Sequence, residues 1–483
     1  MTPLEIAEIA AGSRPRGPTA ALGAVLCLAL AGCTSLAPPE RRPELPPVAH
    51  WKSEAPPGWV STEALQSWQA GRWWELFGDP QLSALIERVA IGNQNLAQAA
   101  AAVAQAQALL DQAQAQAWPT LGAQANVQRS RSGAGGSAAL GLAASWAPDL
   151  WGRLEQTVRA QTASLQASQA DLAGARLSAQ GSLAQAYFGL READAETVLL
   201  DGIITGYERA ATITGNRYAA GVAAHTDLLQ AQSTLASARS TRAGLARSRA
   251  TYEHAIALLI GQPPADFALA PQPWVAQVPM VPPGLPSELL LRRPDVAAAE
   301  RAVAAANARI GVARAAWFPS LTLSASLGGS ATTLSRLVSA PTLTWSLGAA
   351  LAQTLLDAGA RDAAVAQAVA AHQGASASYR QSALNAMTQV EDQLTALGAL
   401  ATQIEHQRSA ADAAAGAEER IMNSYQAGIS AYTAVVTAQA ASLSARRTLM
   451  QLQLQRQQAA ISLIQALGGG WSVRWGEAGA ARG

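Results

Sequence analysis

The stretch Asn216–Arg239, NRYAAGVAAHTDLLQAQSTLASAR, returns 207 residues later as Asn423–Arg446, NSYQAGISAYTAVVTAQAASLSAR, and 11 of the 24 positions are identical without a gap. Each copy reads as the end of one helix, an Ala-Gly turn and the start of another helix, because glycine takes a positive φ without steric cost. We call the turn at 220–222 the first tip and the turn at 427–429 the second tip. The repeat predicts a chain of two equivalent halves.

Composition and charge argue against several classes of protein. Charged residues are 14% and aromatic residues 5% of the chain, which is typical of closely packed helices rather than of a globular enzyme core. The formal net charge of +1 gives no basis for binding nucleic acid. The five histidines show no metal-ligand spacing, and we find no HExxH, Walker or GxSxG motif, so neither a metal site nor catalytic residues are predicted.

The N-terminal region resembles a bacterial lipoprotein precursor. An apolar run ends in Leu30-Ala31-Gly32-Cys33, which is similar to a lipobox. This resemblance implies a signal peptide at 1–32, a covalent lipid on Cys33 and, because Thr34 and not Asp follows, transport to the outer membrane. The alternative is an ordinary signal peptide beside an unrelated cysteine. With cleavage before a lipidated Cys33, residues 33–72 would form a lipid-anchored, Pro-rich N-terminal segment.

Four segments of about ten residues alternate apolar with small or polar residues, in predicted hairpins at 119–147 and 319–351. Strands of a membrane barrel have this length and pattern; the alternative is a soluble hairpin pair in a sandwich. No apolar run of about 18 or more residues follows Cys33, so a mature chain that crosses a bilayer must do so by strands. Because membrane barrels start at about eight strands, four strands predict assembly with other copies.

Long segments without proline follow the two hairpins, from Gly152 to about Thr214 and from Gly359 to about Met422. At 1.5 Å per residue each helix would reach roughly 90–100 Å, and its small residues favour coiled-coil packing. A shorter helix is predicted from Pro80 to about Ala117. The halves comprise residues 73–262 and 287–470, with a Pro-rich linker at 263–286 and a C-terminal tail at 471–483.

Several motifs in order resemble those of TolC-family outer-membrane factors, in particular the NodT/OprM-like lipoprotein branch that serves resistance-nodulation-division pumps. The motifs are WWELFGDPQL (73–82), LLLRRPDVAAAE (289–300), ARAAWFPSLTLSAS (313–326), LLDAGAR (355–361) and the two Ala-Gly turns. The resemblance implies a mainly α chain with four membrane strands, and a homotrimer that forms a twelve-stranded β-barrel in the outer membrane and an α-helical barrel in the periplasm. It further implies a passive efflux channel for small toxic compounds, which works with a periplasmic adaptor protein and an inner-membrane pump and is not an enzyme.

The resemblance also implies roles for individual residues. The tips would face the adaptor; their residues are Ala220, Gly221 and Val222 in the first, and Ala427, Gly428 and Ile429 in the second. The second-tip helices would form the periplasmic gate, where relatives often carry acidic residues but this chain has Ala434 and Thr437, and Asp227 stands opposite Ala434 in the internal alignment. Closure would therefore depend on packing and hydrogen bonds around Tyr425, Ser430 and Tyr432.

Two other functions fit parts of the pattern. The duct of a type I protein secretion system would have the same fold, whereas a lipid-anchored coiled-coil scaffold would conduct nothing. The lipobox and the Arg-Arg-Pro-Asp-Val motif favour efflux by resemblance, and the alternating strands argue against a scaffold.

Overall fold

The structure is a computed structural model, and it describes residues 36–45, 50–52, 71–129, 136–279, 292–332 and 343–472. Some predicted features lie outside these residues. They are the signal peptide 1–32, the lipidation site Cys33, the last part of the linker (280–286) and most of the tail (473–483).

From the helix before the strands onward, the described parts of the two halves contain the same elements in the same order. The first half has a 3-10 helix at Trp73–Phe77, α1 (Pro80–Gly92), α2 (Gln94–Ala115), β1 (Thr120–Arg129), β2 (Gly136–Trp146), α3 (Arg153–Ala219) and α4 (His225–Leu259), and a short 3-10 helix, Pro264–Asp266, follows. The second half has α5 (Pro294–Ala315), β3 (Ser320–Ala331), β4 (Leu343–Ala352), α6 (Ala360–Gln426) and α7 (Tyr432–Ala466). The predicted class, mainly α with four strands, is confirmed. Within the described ranges, we find no helix with the length and apolar character that a bilayer crossing needs.

The helix predicted from Pro80 to about Ala117 is two helices, so that prediction was wrong. Asn93 separates α1 from α2 with extended backbone angles, φ −73° and ψ 117°. Its side-chain oxygen accepts hydrogen bonds from the backbone N–H groups of Asn95 and Leu96, at 3.0 and 3.2 Å, and so caps α2. Its amide nitrogen donates to the carbonyl of Leu259, 2.8 Å away, which satisfies a group at the end of α4.

The strands form one antiparallel sheet in the order β1-β2-β3-β4. Its register places apolar residues opposite one another: Ala123 pairs with Leu142, Leu142 with Leu327, and Leu327 with Trp345. A shift of one residue would move every side chain to the other face. The register therefore confirms the predicted alternation, with one apolar face and one face of small and polar residues.

The chain divides into two compact units, and neither corresponds to one half of the sequence. Of the described residues, the sheet unit combines 36–40, 113–129, 136–160, 307–332 and 343–370, and the helical unit combines 41–45, 50–52, 71–112, 161–279, 292–306 and 371–472. Each unit takes segments from both halves, because equivalent elements pack with each other rather than only with their own half.

Within the sheet unit, equivalent hydrogen bonds join each strand pair to the helix before it. The indole N–H of Trp146 donates to the carbonyl of Ala117 at 2.9 Å. In the second half, the side-chain amide of Gln353 donates to the carbonyl of Trp317 at the same distance. Different side chains thus perform the same structural task in the two halves.

Within the helical unit, one glycine in each half permits direct backbone contact between the shorter helices of that half. A Cβ placed on Gly261, which has φ 73°, would lie 2.0 Å from the carbonyl oxygen of Gly92. A Cβ on Gly468, which has φ 86°, would lie 1.9 Å from the carbonyl oxygen of Arg292. Both positions therefore require glycine for two reasons, the close approach and the left-handed backbone.

We expect Gly261→Ala to destabilise the protein by about 2 kcal/mol or more, because the new methyl group meets a backbone carbonyl and alanine has to keep a positive φ. The measurement is the midpoint of thermal denaturation of the purified protein, followed by circular dichroism. Gly244→Ala is the matched control, since a Cβ at this helical glycine meets nothing within 4 Å. It should be neutral or slightly stabilising. Equal midpoints for the two variants would contradict the close crossing.

Candidate functional site

The tips are two copies of one helix-ending motif. Gly221 and Gly428 follow the ends of α3 and α6 and have φ values of 72° and 79°. In each tip the residue after the glycine donates its backbone N–H to the carbonyl five residues earlier, at 2.8 Å in the first tip and 2.9 Å in the second. This is the Schellman motif, which satisfies carbonyl groups that the helix leaves unpaired.

All six predicted adaptor-facing residues are exposed. Val222 and Ile429 are the largest of them, with 66% and 82% of their surface accessible. The residue at this place in a Schellman motif frequently packs back on its own helix. Here it does not, so each tip presents one exposed apolar side chain, and the assignment of these residues to an adaptor stays a prediction.

Two of the predicted gate residues form the centre of a buried cluster beside the second tip. The rings of Tyr425 and Tyr432 meet edge to face with centroids 5.2 Å apart, and the residues are 4% and 2% exposed. Ala231 and Val435 complete the buried cluster. The Tyr425 hydroxyl lies 3.2 Å from the hydroxyl of Thr214, so the cluster links α6 and α7 to α3 and α4.

The other predicted gate residues lie around this cluster rather than in it. Ser430 is half-buried, and its hydroxyl donates to the adjacent backbone carbonyl at 3.4 Å. Thr437 is exposed and donates to the carbonyl four residues earlier, at 3.0 Å, while Ala434 is half-buried. Burial, with smaller effects of Tyr425 and Asp227, raises the pKa of Tyr432 to about 12. Tyr432 is therefore uncharged at physiological pH, and the gating roles of these residues stay predictions.

Arg217 reaches the cluster from the end of α3, and no sequence motif singled it out. Its guanidinium donates to the backbone carbonyl of Tyr425 at 2.9 Å, and its Cζ lies 4.7 Å from the centroid of the Tyr425 ring. A signal was present in the repeat, because the equivalent residue of the second half is Ser424.

Comparison with known proteins matches both halves to one family. The family described as outer membrane efflux protein matches residues 85–262 and again residues 285–469. The chain belongs to the outer membrane efflux protein family. The resemblance to TolC-family outer-membrane factors is thereby confirmed, and the two matched ranges follow the internal duplication.

Individual relatives agree with this assignment. The cation efflux system protein CusC of Escherichia coli O6:H1 is 31% identical over 456 residues, which cover 92% of this chain and 97% of the relative. The pyoverdine export outer membrane protein OpmQ of Pseudomonas aeruginosa is 31% identical over 83% of this chain and 87% of its own length. The solved outer-membrane channel OprN has a TM-score of 0.82 at 28% identity, covering 90% of this chain and 99% of that one. Members of the family are channels, and they are located in the outer membrane.

The Arg-Arg-Pro-Asp-Val motif of this efflux protein has a structural role. Arg293 is buried and donates two hydrogen bonds to Asp295, at 2.9 and 2.6 Å. Its remaining nitrogen donates to the side chain of Gln389 and to the carbonyl of Ala466, both at 2.9 Å. The motif thus ties the start of α5 to α6 and to the end of α7.

A second buried network holds the linker against the long helices. Arg191 is 2% exposed and donates to Asp194 at 3.0 Å and to the carbonyl of Ala270 at 2.9 Å. Arg249 of α4 donates to the other oxygen of Asp194 at 2.6 Å. Two arginines therefore share the buried carboxylate of Asp194, and these ion pairs offset the free-energy cost of its burial. Among the described residues, no group of three or more potential ligands is placed to hold a metal ion.

One carboxyl group in this region lacks such compensation. Glu192 and Glu196 lie one turn apart on α3 and are 7% and 3% exposed. Arg447 of α7 forms an ion pair with Glu196, whereas the Oε1 atom of Glu192 has no hydrogen-bond partner within the described chain. Burial first, and then the charge of Glu196, raises the pKa of Glu192 to about 7, although Arg447 partly opposes the shift.

We expect the efflux protein to lose thermal stability as the pH rises from about 4.5 to 7. The pKa of Glu192 is higher in the folded state than its ordinary value of 4.5, so the folded protein binds this proton more tightly than the unfolded chain does. Glu192→Gln should flatten this part of the melting profile and melt at a higher temperature than the unaltered protein at pH 8.

Glu208→Gln provides the matched control for this pH experiment. Glu208 lies on the same helix but is exposed, where it pairs with Arg239. Its replacement should leave the pH slope unchanged. A slope that persists in Glu192→Gln would show that another group carries the pH dependence.

Proposed function

We propose that this protein is the outer-membrane channel of a tripartite efflux system and that it exports small toxic compounds passively. The observation that carries the proposal is the exposed apolar face of the sheet. Leu121, Trp345 and Leu347 are 73%, 73% and 75% exposed, although apolar side chains of this size are normally buried. Lipid chains are the natural surroundings for an alternating apolar face of strands about ten residues long.

The functional unit that we propose is a homotrimer. The strands β1 and β4 are both ten residues long, and each has one edge without a partner in the described chain. Unpaired backbone groups cannot be left in hydrocarbon. Pairing of β4 with β1 of the next copy satisfies both edges, and three copies of four strands close a twelve-stranded barrel.

A periplasmic adaptor and an inner-membrane pump are the proposed partners. The exposed tips, with Val222 and Ile429 at their ends, offer small and apolar contacts that suit the adaptor. The relatives named for cation efflux and for pyoverdine export handle small cargo, which favours efflux over protein secretion. We assign the chain no catalytic activity, so the pump supplies the energy for transport.

A covalent lipid on Cys33 is the proposed anchor, and contacts of the following segment support it. In the sheet unit, the carbonyl of Leu36 accepts a hydrogen bond from Arg314 at 3.1 Å, and the carbonyl of Pro38 accepts one from Asn307 at 2.8 Å. Arg314 lies in the last turn of α5, shortly before β3. Three residues span at most roughly 11 Å, so a lipid on Cys33 is close enough to enter the same membrane as the strands.

Cys33→Ser should abolish incorporation of radiolabelled palmitate in cells that express the protein. Cys27→Ser is the matched control, because Cys27 lies in the proposed signal peptide and its replacement should leave labelling intact. Label that persists in Cys33→Ser, or that is absent from the unaltered protein, would contradict lipidation at this residue.

The gate that we propose is the cluster of Tyr425 and Tyr432. Closed tips are favoured by the edge-to-face contact of the two rings and by the hydrogen bond between Tyr425 and Thr214. The ring contact joins α7 to α6, and the hydrogen bond joins α6 to α3 of the first half, so breaking both releases the second-tip helices.

Single-channel conductance of the purified protein in a planar bilayer tests both the channel and the gate. The unaltered protein should give small, flickering currents, and Tyr425→Ala or Tyr432→Ala should increase them severalfold because the buried contacts are lost. The control is Tyr218→Ala, since Tyr218 is the equivalent of Tyr425 in the first half but is 43% exposed.

The same preparation should contain a trimer that separates into single chains on heating in detergent. If a correctly inserted trimer conducts neither as the unaltered protein nor as any of these variants, the protein is not a channel. The lipid-anchored coiled-coil scaffold is then the remaining function. Currents that are equal in all variants would keep the channel and remove the tyrosine gate.

A further inference from the structure

The two tips hold equivalent tyrosines in opposite surroundings. Tyr425 is buried, whereas Tyr218, at the same place in the first half, is 43% exposed and contacts only the ring of His225 among the aromatic contacts of the described chain, with centroids 5.1 Å apart. The backbone of the two tips is the same, so the difference has to come from side chains. The residue before each tyrosine is Arg217 in the first half and Ser424 in the second.

Arg217 makes two kinds of contact with Tyr425. One guanidinium nitrogen donates to the Tyr425 carbonyl at 2.9 Å, and the guanidinium carbon lies 4.7 Å from the ring centroid, within the range of a cation–π contact. A serine at the same place cannot reach across to Tyr218, because its side chain ends at the first oxygen. The duplication therefore produces one arginine–tyrosine contact between the halves and not two.

The position of Arg217 also compensates the end of a helix in the other half. The last turn of α6 contains no basic residue of its own, although cations stabilise the negative C-terminal end of a helix. Arg217 belongs to the last turn of α3 but donates to a carbonyl in the last turn of α6. One side chain thus joins the final turns of both long helices.

We propose that Arg217 is the latch of the periplasmic gate, a positioning residue on α3 that holds Tyr425 and the end of α6 in the closed arrangement. The proposal rests on the channel and the tyrosine gate proposed above. It identifies the residue of the first half on which closure depends, and it makes the gate asymmetric within each protomer. Arg217, at the end of α3 beside the first tip, stabilises the closed position of the second tip, and no equivalent arginine stabilises the first tip.

The test is single-channel conductance of Arg217→Gln, Arg217→Ala and Arg217→Lys in the full-length, lipid-anchored protein. Arg217→Gln and Arg217→Ala should raise the ratio of open to closed time about tenfold, which corresponds to about 1.4 kcal/mol and is the order expected for one charge-assisted hydrogen bond. Arg217→Lys should lie between these and the unaltered protein, because lysine keeps the charge but not the planar group that stacks on the ring.

Arg239→Ala is the matched control, because Arg239 is an exposed arginine of α4 that pairs with Glu208 at 2.7 Å rather than with Tyr425. It should conduct like the unaltered protein. A further readout separates latching from general stability: in the double variant Arg217→Gln/Tyr425→Leu, the effects on the open-to-closed ratio should be less than additive, since both changes remove the same contact between the guanidinium and the ring.

The possible results distinguish the Arg217 latch from the channel and the tyrosine gate on which it rests. If Tyr432→Ala opens the channel but Arg217→Gln does not, the latch is wrong and the tyrosine gate stands. If Arg239→Ala opens the channel as much as Arg217→Gln does, the effect is one of charge alone and the latch is wrong. If all three Arg217 variants fail to form trimers, the residue serves folding and the latch is overturned. If no variant at either tyrosine or at Arg217 alters the current, the gate itself is absent.

Discussion

Backbone contact at the two glycine crossings is the constraint on which the helical unit depends. Gly261 lies against the carbonyl of Gly92, and Gly468 lies against the carbonyl of Arg292, at distances that no side chain would permit. The next residue in each case is polar and buried, Asn93 in one half and Arg293 in the other, and it donates to a carbonyl at the end of the partner helix. Close approach leaves no room for water to satisfy those carbonyls, so each crossing needs both a glycine and a buried donor. The helices α4 and α7 run between these two fixed points and the tips.

Equivalent positions in the two halves keep the backbone geometry and change the side-chain chemistry. Asn93 and Arg293 satisfy equivalent carbonyls with an amide and a guanidinium, and Trp146 and Gln353 close equivalent strand pairs with an indole and an amide. These exchanges are structurally neutral because the same carbonyl is satisfied in each half. The exchange of Arg217 for Ser424 is different, because an arginine spans the gap to the other half and a serine does not. Asymmetry between the two halves thus arises where a side chain of one half contacts the other half and its counterpart does not.

Local patterns predicted the parts of the fold that local physics determines. The strands follow from alternation, because one face of the sheet is apolar throughout, and the tips follow from the repeated glycine, because only that residue takes the left-handed backbone without strain. The break at Asn93 was missed because its reason is the carbonyl of Leu259, which is 166 residues away in the chain. The same is true of Arg217 and of the shared carboxylate of Asp194, whose partners come from other helices. In the candidate site, residue types indicated the tyrosines, but contacts across the halves decide which tyrosine is buried.

The residues proposed to gate the channel at the second tip are separate from Glu192, the residue whose pKa is raised to about 7. Tyr432, whose pKa is raised to about 12, stays neutral, and Ala434 and Thr437 bring no charge. The pKa of Glu192 is raised to about 7, and this residue lies in the buried network of α3 and α7 rather than in the tyrosine cluster. A rise of pH from about 5 to 8 therefore alters the stability of the helical unit through Glu192, outside the tyrosine cluster. In the gate that we propose, opening requires competition for these contacts, and the exposed side chains of Val222 and Ile429 are the proposed surface for the apolar partner that begins it.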